Sequence, residues 1–225
     1  MISLILPYWD RQSAADKALV SLEACYRGEG IEVIVVDDGN QVPFRLPELG
    51  IPVHILRLPL KPKPSSCITA WNRGAAVANG DVLVFSCIEV IHSQPVLKEM
   101  ARTLHEVGPM GYVMAAAWCP DLNEWHCHST SHSAGGPQPP KGFGRPFCAA
   151  MYRGLFWTIG GFCEDYAEGV GYEDLDFLRS LEAIGAKPVF RDDLVVTHPK
   201  AEATIRWPAE LFERNEAVYK QRWSC

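Results

Sequence analysis

Three places in the sequence put carboxylates where chemistry could use them. "GVGYEDLDF", residues 169–177, crowds Glu173, Asp174 and Asp176 after a glycine-bracketed turn and ahead of an amphipathic run. Acidic side chains there suit the positive end of a helix dipole. A carboxylate fixed at a helix entrance can also take a proton from a bound hydroxyl. "VVDDGN" sets Asp37 and Asp38 before Gly39. Asp-Gly is good turn chemistry, and a carboxylate pair after a buried strand can equally hydrogen-bond a base or a ribose. "FSCIEVIH" sets Cys87 and Glu89 just past the end of the strand at 82 to 86, where open α/β sheets bind ligands. "HCHSTSH" groups metal-type side chains at 126, 127, 128 and 132, but no second half at zinc-site spacing accompanies them, so it reads as a polar surface loop.

The elements that must position these groups follow from periodicity. "ISLIL", "IEVIVV", "IPVHILRL", "DVLVFS" and "GYVMAAAW" read as strands. Between them, "SAADKALVSLEACY", with Ser13 and Asp16 resembling a capping box, "SSCITAWNRGAAVANG" and "SQPVLKEMARTLHEV" read as helices. Such alternation predicts a mainly parallel sheet covered by helices. From 119 to 146 the pattern dissolves into Cys, His, Ser, Gly and Pro, a long loop of the kind that is usually functional or mobile. Then come "FCAAMY", a short helix "RGLFWTIGGF", the acidic stretch, strands "KPVFRD" and "LVVTH", and a last helix near "PAELFERNEAVYKQRW". Phe177, Leu178, Leu181 and Ile184 form the stripe that docks the acidic helix on the core.

Composition narrows the class. The 225 residues carry a net charge of −6 and 48% hydrophobic content, ordinary for a globular chain and without general attraction for nucleic acid or anionic membrane. No apolar stretch approaches the ~20 residues of a membrane span, and "MISLILP" lacks the features of a signal peptide. Eight scattered cysteines with no CxxC pair read as reduced thiols, so a cytoplasmic location is expected. There is no GxGxxG after a strand and no GxxxxGK[ST], which removes the main support for dinucleotide and P-loop readings.

"LPYWDR", "EVIVVDDGN", "AWNRGAAVANGDVLVFSCIEVI", "GGF" and "GYEDLDFLRSLEAIGAKPVF" occur in the order seen in GT-A fold glycosyltransferases. The first half resembles family 2, and "GGF…GYEDLDF…H" is similar to the galactosyl- and N-acetylgalactosaminyltransferase group. The match spans residues 2 to 198 apart from the 119–146 loop. It implies an α/β fold: one GT-A type, Rossmann-like domain over 1–225, with a mixed, largely parallel sheet flanked by helices. Residues 1–118 form its nucleotide-sugar half and 147–225 its acceptor and catalytic half.

The resemblance also implies roles. Pro7, Tyr8, Asp37 and Asp38 would line the pocket for base and ribose. Asn72 and Arg73 would face the diphosphate, and Gly160, Gly161 and Phe162 would lie beneath sugar and acceptor. The family holds a divalent cation, Mn2+ or Mg2+, on two aspartates separated by one residue. Here Cys87, Ile88 and Glu89 stand there, leaving Glu89 and His198 as ligands. Asp174 would be the general base, Glu173 would orient the acceptor, and Asp176 would serve the helix dipole. The implied activity is inverting transfer of a sugar from a nucleotide-sugar donor, with UDP the expected nucleotide, to an acceptor hydroxyl. A catalytically silent sugar-nucleotide or glycan-binding module and a nucleotidyltransferase are the alternatives. The nucleotidyltransferase would want a glycine- and lysine-rich triphosphate loop that "LPYWDRQ" does not offer.

Overall fold

The computed structural model describes residues 1–61, 65–132, 138–200 and 208–224. The β-branched runs become the buried centre of a sheet. β1 (Ile2–Tyr8), β2 (Ile31–Asp37) and β4 (Val82–Ser86) are buried along almost their whole lengths, as strands covered on both faces must be. β3 (Val53–Arg57) is the more exposed edge strand. These four pair in parallel in the order β3-β2-β1-β4. They are linked by α1 (Gln12–Tyr26) and α2 (Ile68–Val77), and α2 packs on β1 and β2. Because the chain moves outward from β1 in both directions, its carboxyl end lies beside a topological switch point, where open α/β sheets leave a crevice.

Beyond β4 the sheet becomes mixed. A two-residue strand β5 (Ile91–His92) and α3 (Val96–Val107) precede β6 (Gly111–Cys119). β6 does not continue the parallel block beside β4: β9 (Cys148–Tyr152) inserts between them, antiparallel to both. Sequence order cannot reveal such an insertion, because the strand that fills the gap is contributed later in the chain. The "KPVFRD" and "LVVTH" runs, expected as two strands, are one strand, β10 (Lys187–Thr197). It lies parallel to β6 and shifts register between Arg191 and Val195, so a bulge imitates a chain break.

Two further expectations change. The 119–146 stretch is not loop throughout: β7 (Glu124–His128) and β8 (Ser131–His132) form a hairpin against β6. Alternation in "EWHCH" was its signal: His126 and His128 make side-chain contacts while Cys127 between them is buried. The Ser13–Asp16 capping box does not form. Helix α1 starts after Arg11 with no side-chain cap, and Asp16 instead accepts a 2.7 Å hydrogen bond from Gln12 Nε2.

The part of the chain after β9 is fixed by aromatic packing. α4 (Arg153–Thr158) leads into the "GGF" turn and a 3-10 turn at Glu164–Tyr166, then into α5 (Glu173–Ala183) and, at the end of the chain, α6 (Ala209–Trp223). Phe162 stacks on Phe177 of α5 at 4.1 Å and on Trp71 of α2 at 4.9 Å. Phe177, Leu178 and Leu181 are buried as the stripe predicts, whereas Ile184 is exposed past the last turn of α5. Asp176 is no dipole partner in solvent. It is buried and accepts hydrogen bonds from Tyr166 Oη (3.2 Å) and Trp223 Nε1 (2.7 Å), with Arg222 Nε at 2.8 Å, so it ties α6 to α5.

Candidate active site

A cleft with about 200 Å3 open to water lies beyond the carboxyl ends of β1, β2 and β4. Pro7 and Tyr8 at the end of β1, Asp38 after β2 and Glu89 after β4 line it, and Glu173 from α5 closes it. These were singled out from four separate sequence motifs, and the fold brings them to one place.

The two aspartates of "VVDDGN" separate. Asp37 is turned into the loop behind the cleft, where it accepts hydrogen bonds from Asn40 Nδ2 (2.7 Å), Asn40 N (3.1 Å) and Phe44 N (3.0 Å). That carboxylate is saturated by the turn it builds. Asp38 faces the cleft, with Oδ2 2.5 Å from Lys61 Nζ and Oδ1 buried without a partner. Burial pushes its carboxyl up to about 6, against the opposing pull of Lys61.

On α2, Asn72 is occupied by the "GGF" turn. Its Nδ2 donates to Phe162 O (2.8 Å) and Glu164 Oε1 (2.7 Å), and its Oδ1 accepts from Phe162 N (2.9 Å). Gly161 has φ +74°, and a Cβ there would sit 2.8 Å from Asn72 Oδ1, so this approach requires glycine. Asn72, Gly161 and Phe162 therefore build the floor behind Trp71 rather than the cleft surface. Arg73 is exposed and does not line the cleft. Trp71, two residues earlier, does line it and leaves its buried Nε1 without a partner. The sequence reading missed it, although it flanks Asn72 in the quoted motif.

The acidic helix starts where Gly171 (φ +78°) and Tyr172 (φ +68°) both adopt the left-handed conformation. For tyrosine that is strained by roughly 1–2 kcal/mol and persists because the surroundings fix it. The turn sends the first two side chains of α5 to different surroundings. Glu173 reaches the cleft, where Oε2 is buried and unpartnered; burial and the neighbouring Asp174 charge push its carboxyl up to about 7. Asp174 lies beside it and pairs with Arg145 Nε at 2.5 Å, while its Oδ1 accepts from Leu175 N at 2.8 Å. Arg145, from the loop before β9, had no signal in the sequence beyond its charge.

The groups expected to hold a cation meet at the other end of the cleft. Glu89 Oε1 lies 3.7 Å from His198 Nε2, and His198 Nδ1 lies 2.9 Å from Nδ1 of His126 on β7. Burial depresses the His198 imidazole to about 4 and pushes the Cys87 thiol well above its ordinary range. Glu89 also takes an ion pair and hydrogen bond from Arg11, which lines the same cleft. Among the described residues no group of three or more His, Cys, Asp or Glu side chains is arranged to hold a metal ion. The donor set does not fit Mn2+ or Mg2+: its one carboxylate, Glu89, is already neutralised by a guanidinium, its other expected ligand, His198, is an imidazole held against His126, and Cys87 puts a thiol where a second carboxylate would stand. Cys127 is buried and His128 turns to Thr130, so "HCHSTSH" does not converge on a zinc site among its described side chains.

No protein-family model and no curated protein sequence matches the chain. Solved structures do. A mannosyltransferase from Pyrobaculum calidifontis, PcManGT, in complex with GDP-Man and Mn2+, superposes with a TM-score of 0.61 at 13% identity, over 99% of this chain and 70% of that one. S. aureus TarS 1-349 in complex with UDP-GlcNAc gives 0.65 at 15% identity, over 95% of this chain and 64% of that one. GalNAc-T7 with UDP, GalNAc and Mn2+ gives 0.68 at 13% identity, over 99% of this chain and 49% of that one. The chain thus spans less than two thirds of the length of the last two. Among the described residues no helix is long and apolar enough to cross a membrane. With its parallel block, its inserted antiparallel strand and its crevice beyond β1 and β4, the chain has the fold of the GT-A glycosyltransferases.

Proposed function

We propose that the protein is a glycosyltransferase that receives a nucleotide sugar, a UDP-sugar, in the cleft beyond β1, β2 and β4 and passes the sugar to an acceptor hydroxyl with inversion. One observation carries this reading. Among the described residues four buried side-chain polar atoms lack a partner, and three of them, Asp38 Oδ1, Trp71 Nε1 and Glu173 Oε2, belong to residues lining this one cleft. Leaving such an atom unmade costs about 1–3 kcal/mol. Three on one surface fit a cleft whose hydrogen bonds are completed by a polar ligand, and a nucleoside brings both donors and acceptors.

In the transfer, Asp174 takes the proton of the acceptor hydroxyl as the oxygen attacks the anomeric carbon and the bond to the diphosphate oxygen breaks. Its carboxylate has about four lone-pair sites, and Arg145 and the Leu175 N–H leave capacity for that proton. Base catalysis of this kind supplies typically ~10²–10⁴-fold. Glu173, which lines the cleft where the neighbouring Asp174 does not, orients the acceptor. The Mn2+ in the PcManGT and GalNAc-T7 complexes supports a divalent cation for this fold, but the residues of this chain do not fit one, and the transfer proposed here draws on none.

The test is a thermal-shift panel of UDP, GDP, TDP and CDP, each in EDTA and in Mn2+, with release of nucleoside diphosphate from the matching nucleotide sugars. Binding to the folded state alone adds about 2.7 kcal/mol at a hundredfold excess over Kd. No shift with any nucleotide would sink the cleft assignment. A shift without turnover would make the protein a binding module, and inorganic diphosphate release from a nucleoside triphosphate and a sugar phosphate would make it a nucleotidyltransferase.

A further inference from the structure

We infer that Arg11 takes the place of a divalent cation and neutralises the diphosphate of the nucleotide sugar. This rests on the donor-cleft reading above. Arg11 follows the end of β1, lines the cleft, and is 30% exposed at its side chain while bonded to Glu89. The pair also lines a second hollow, with Asp10, Lys17, Asp121 and Lys200 around it.

The charges decide what this corner attracts. Glu89 brings one negative charge and Arg11 one positive. Cys87 places sulfur where a carboxylate would be needed, and His198 and His126 are imidazoles, which are never anionic. A divalent cation would therefore meet, among these groups, one carboxylate, and that one is already engaged by a guanidinium. A diphosphate, with about two negative charges, would meet a guanidinium with five N–H donors, of which Glu89 occupies only part; that planar fork matches phosphate oxygens. Charge that develops on the leaving diphosphate would be met by a preformed donor.

The backbone supports the placement. Asp10, immediately before Arg11, has φ +45°, unusual for a residue with a side chain, and its N–H donates to Asn40 Oδ1 at 2.8 Å. From Arg11 the chain enters α1. Strain on one side, a helix start on the other and Glu89 at the head leave Arg11 little freedom, so Glu89 acts as a positioning residue for it.

Affinities for uridine diphosphate, uridine monophosphate and uridine, measured by calorimetry in EDTA and in Mn2+, test the inference. Uridine diphosphate should bind in EDTA within about threefold of its affinity in Mn2+. Arg11→Gln should weaken it at least tenfold, about 1.4 kcal/mol, while uridine changes less than twofold, and Arg11→Lys should restore part of the loss. Melting temperatures of both variants check that they fold. Diphosphate binding only with Mn2+ would overturn the inference while leaving the donor cleft standing. So would an Arg11→Gln variant that binds uridine diphosphate normally, or that loses uridine equally. No binding of any of the three, or of the guanosine series run alongside, would overturn the donor cleft and the inference together.

Discussion

The two ends of the cleft treat their polar groups in opposite ways. Toward β2 and α5, Asp38, Trp71 and Glu173 each keep a buried atom without a partner. Toward β4 and β10, Arg11 is bonded to Glu89 and His126 to His198, with Glu89 Oε1 3.7 Å from His198 Nε2. An unfinished set of hydrogen bonds is completed by a ligand, whereas a set that has closed on itself offers little to a cation. The comparison separates two properties that a resemblance in fold to the GT-A glycosyltransferases would join: a pocket for a nucleotide and a site for a metal.

The largest effect expected is next to the unfinished end, at the neighbour of Glu173. Asp174→Asn should lower transfer by about 10²–10⁴-fold, because an amide cannot take the hydroxyl proton. Donor affinity should hold, and loss of the partly exposed pair with Arg145 should cost under ~1 kcal/mol of stability. Near wild-type turnover, read with any productive donor and acceptor, would show Asp174 to be a structural anchor for Arg145.

The closed end can be opened by design. Arg11→Ala combined with Cys87→Asp leaves two carboxylates and removes the guanidinium. Mn2+ should then raise the melting temperature of the double variant and bind at least ~10-fold more tightly than to the parent, about 1.4 kcal/mol. A double variant as indifferent to Mn2+ as the parent would mean that geometry, not charge, keeps the ion out.

Glu173→Gln probes the cost of the open end. The folded carboxyl sits at about 7, above its ordinary 4.5. The folded protein therefore holds that proton more tightly than the unfolded chain does. The contribution to stability is complete below 4.5 and is lost as pH rises through 7. The neutral amide should leave the melting temperature nearly unchanged at pH 4.5 and raise stability by about 1 kcal/mol at pH 8, discounted for the side chain's partial exposure. Equal shifts at both pH values would remove burial of the charge as the explanation.

The smallest effect is Trp71→Phe. Loss of one neutral hydrogen bond should weaken nucleoside diphosphate binding about fivefold, roughly 1 kcal/mol. Stability should move less, since the unpartnered N–H disappears along with part of the stack on Phe162. An unchanged affinity would remove Trp71 from the nucleotide surface.

Much of the architecture was legible because it follows local periods. "IEVIVV" is a buried strand and Phe177, Leu178 and Leu181 are a docked stripe because side-chain direction repeats every two or 3.6 residues. The same rule explains part of the site: neighbours on an extended chain point to opposite sides, so only one aspartate of "VVDDGN" reaches the cleft. Where the period was interrupted the reading faltered. The bulge in β10 looked like two strands, and the short β7–β8 hairpin was lost among residues that favour loops.

The sequence by itself determined which residue types stand at the strand ends, and that Cys87 breaks the two-aspartate pattern. Tertiary structure decided who their partners are. Arg11 meets Glu89 across 78 positions of sequence, and His126 meets His198 across 72. The antiparallel β9 between β4 and β6 comes from beyond the hairpin. Such pairings carry no local signal, because loop closure depends only weakly on the length of the intervening chain and many distant partners compete at nearly equal cost. Packing of the whole sheet selects among them, and with that choice it sets the charge of the site.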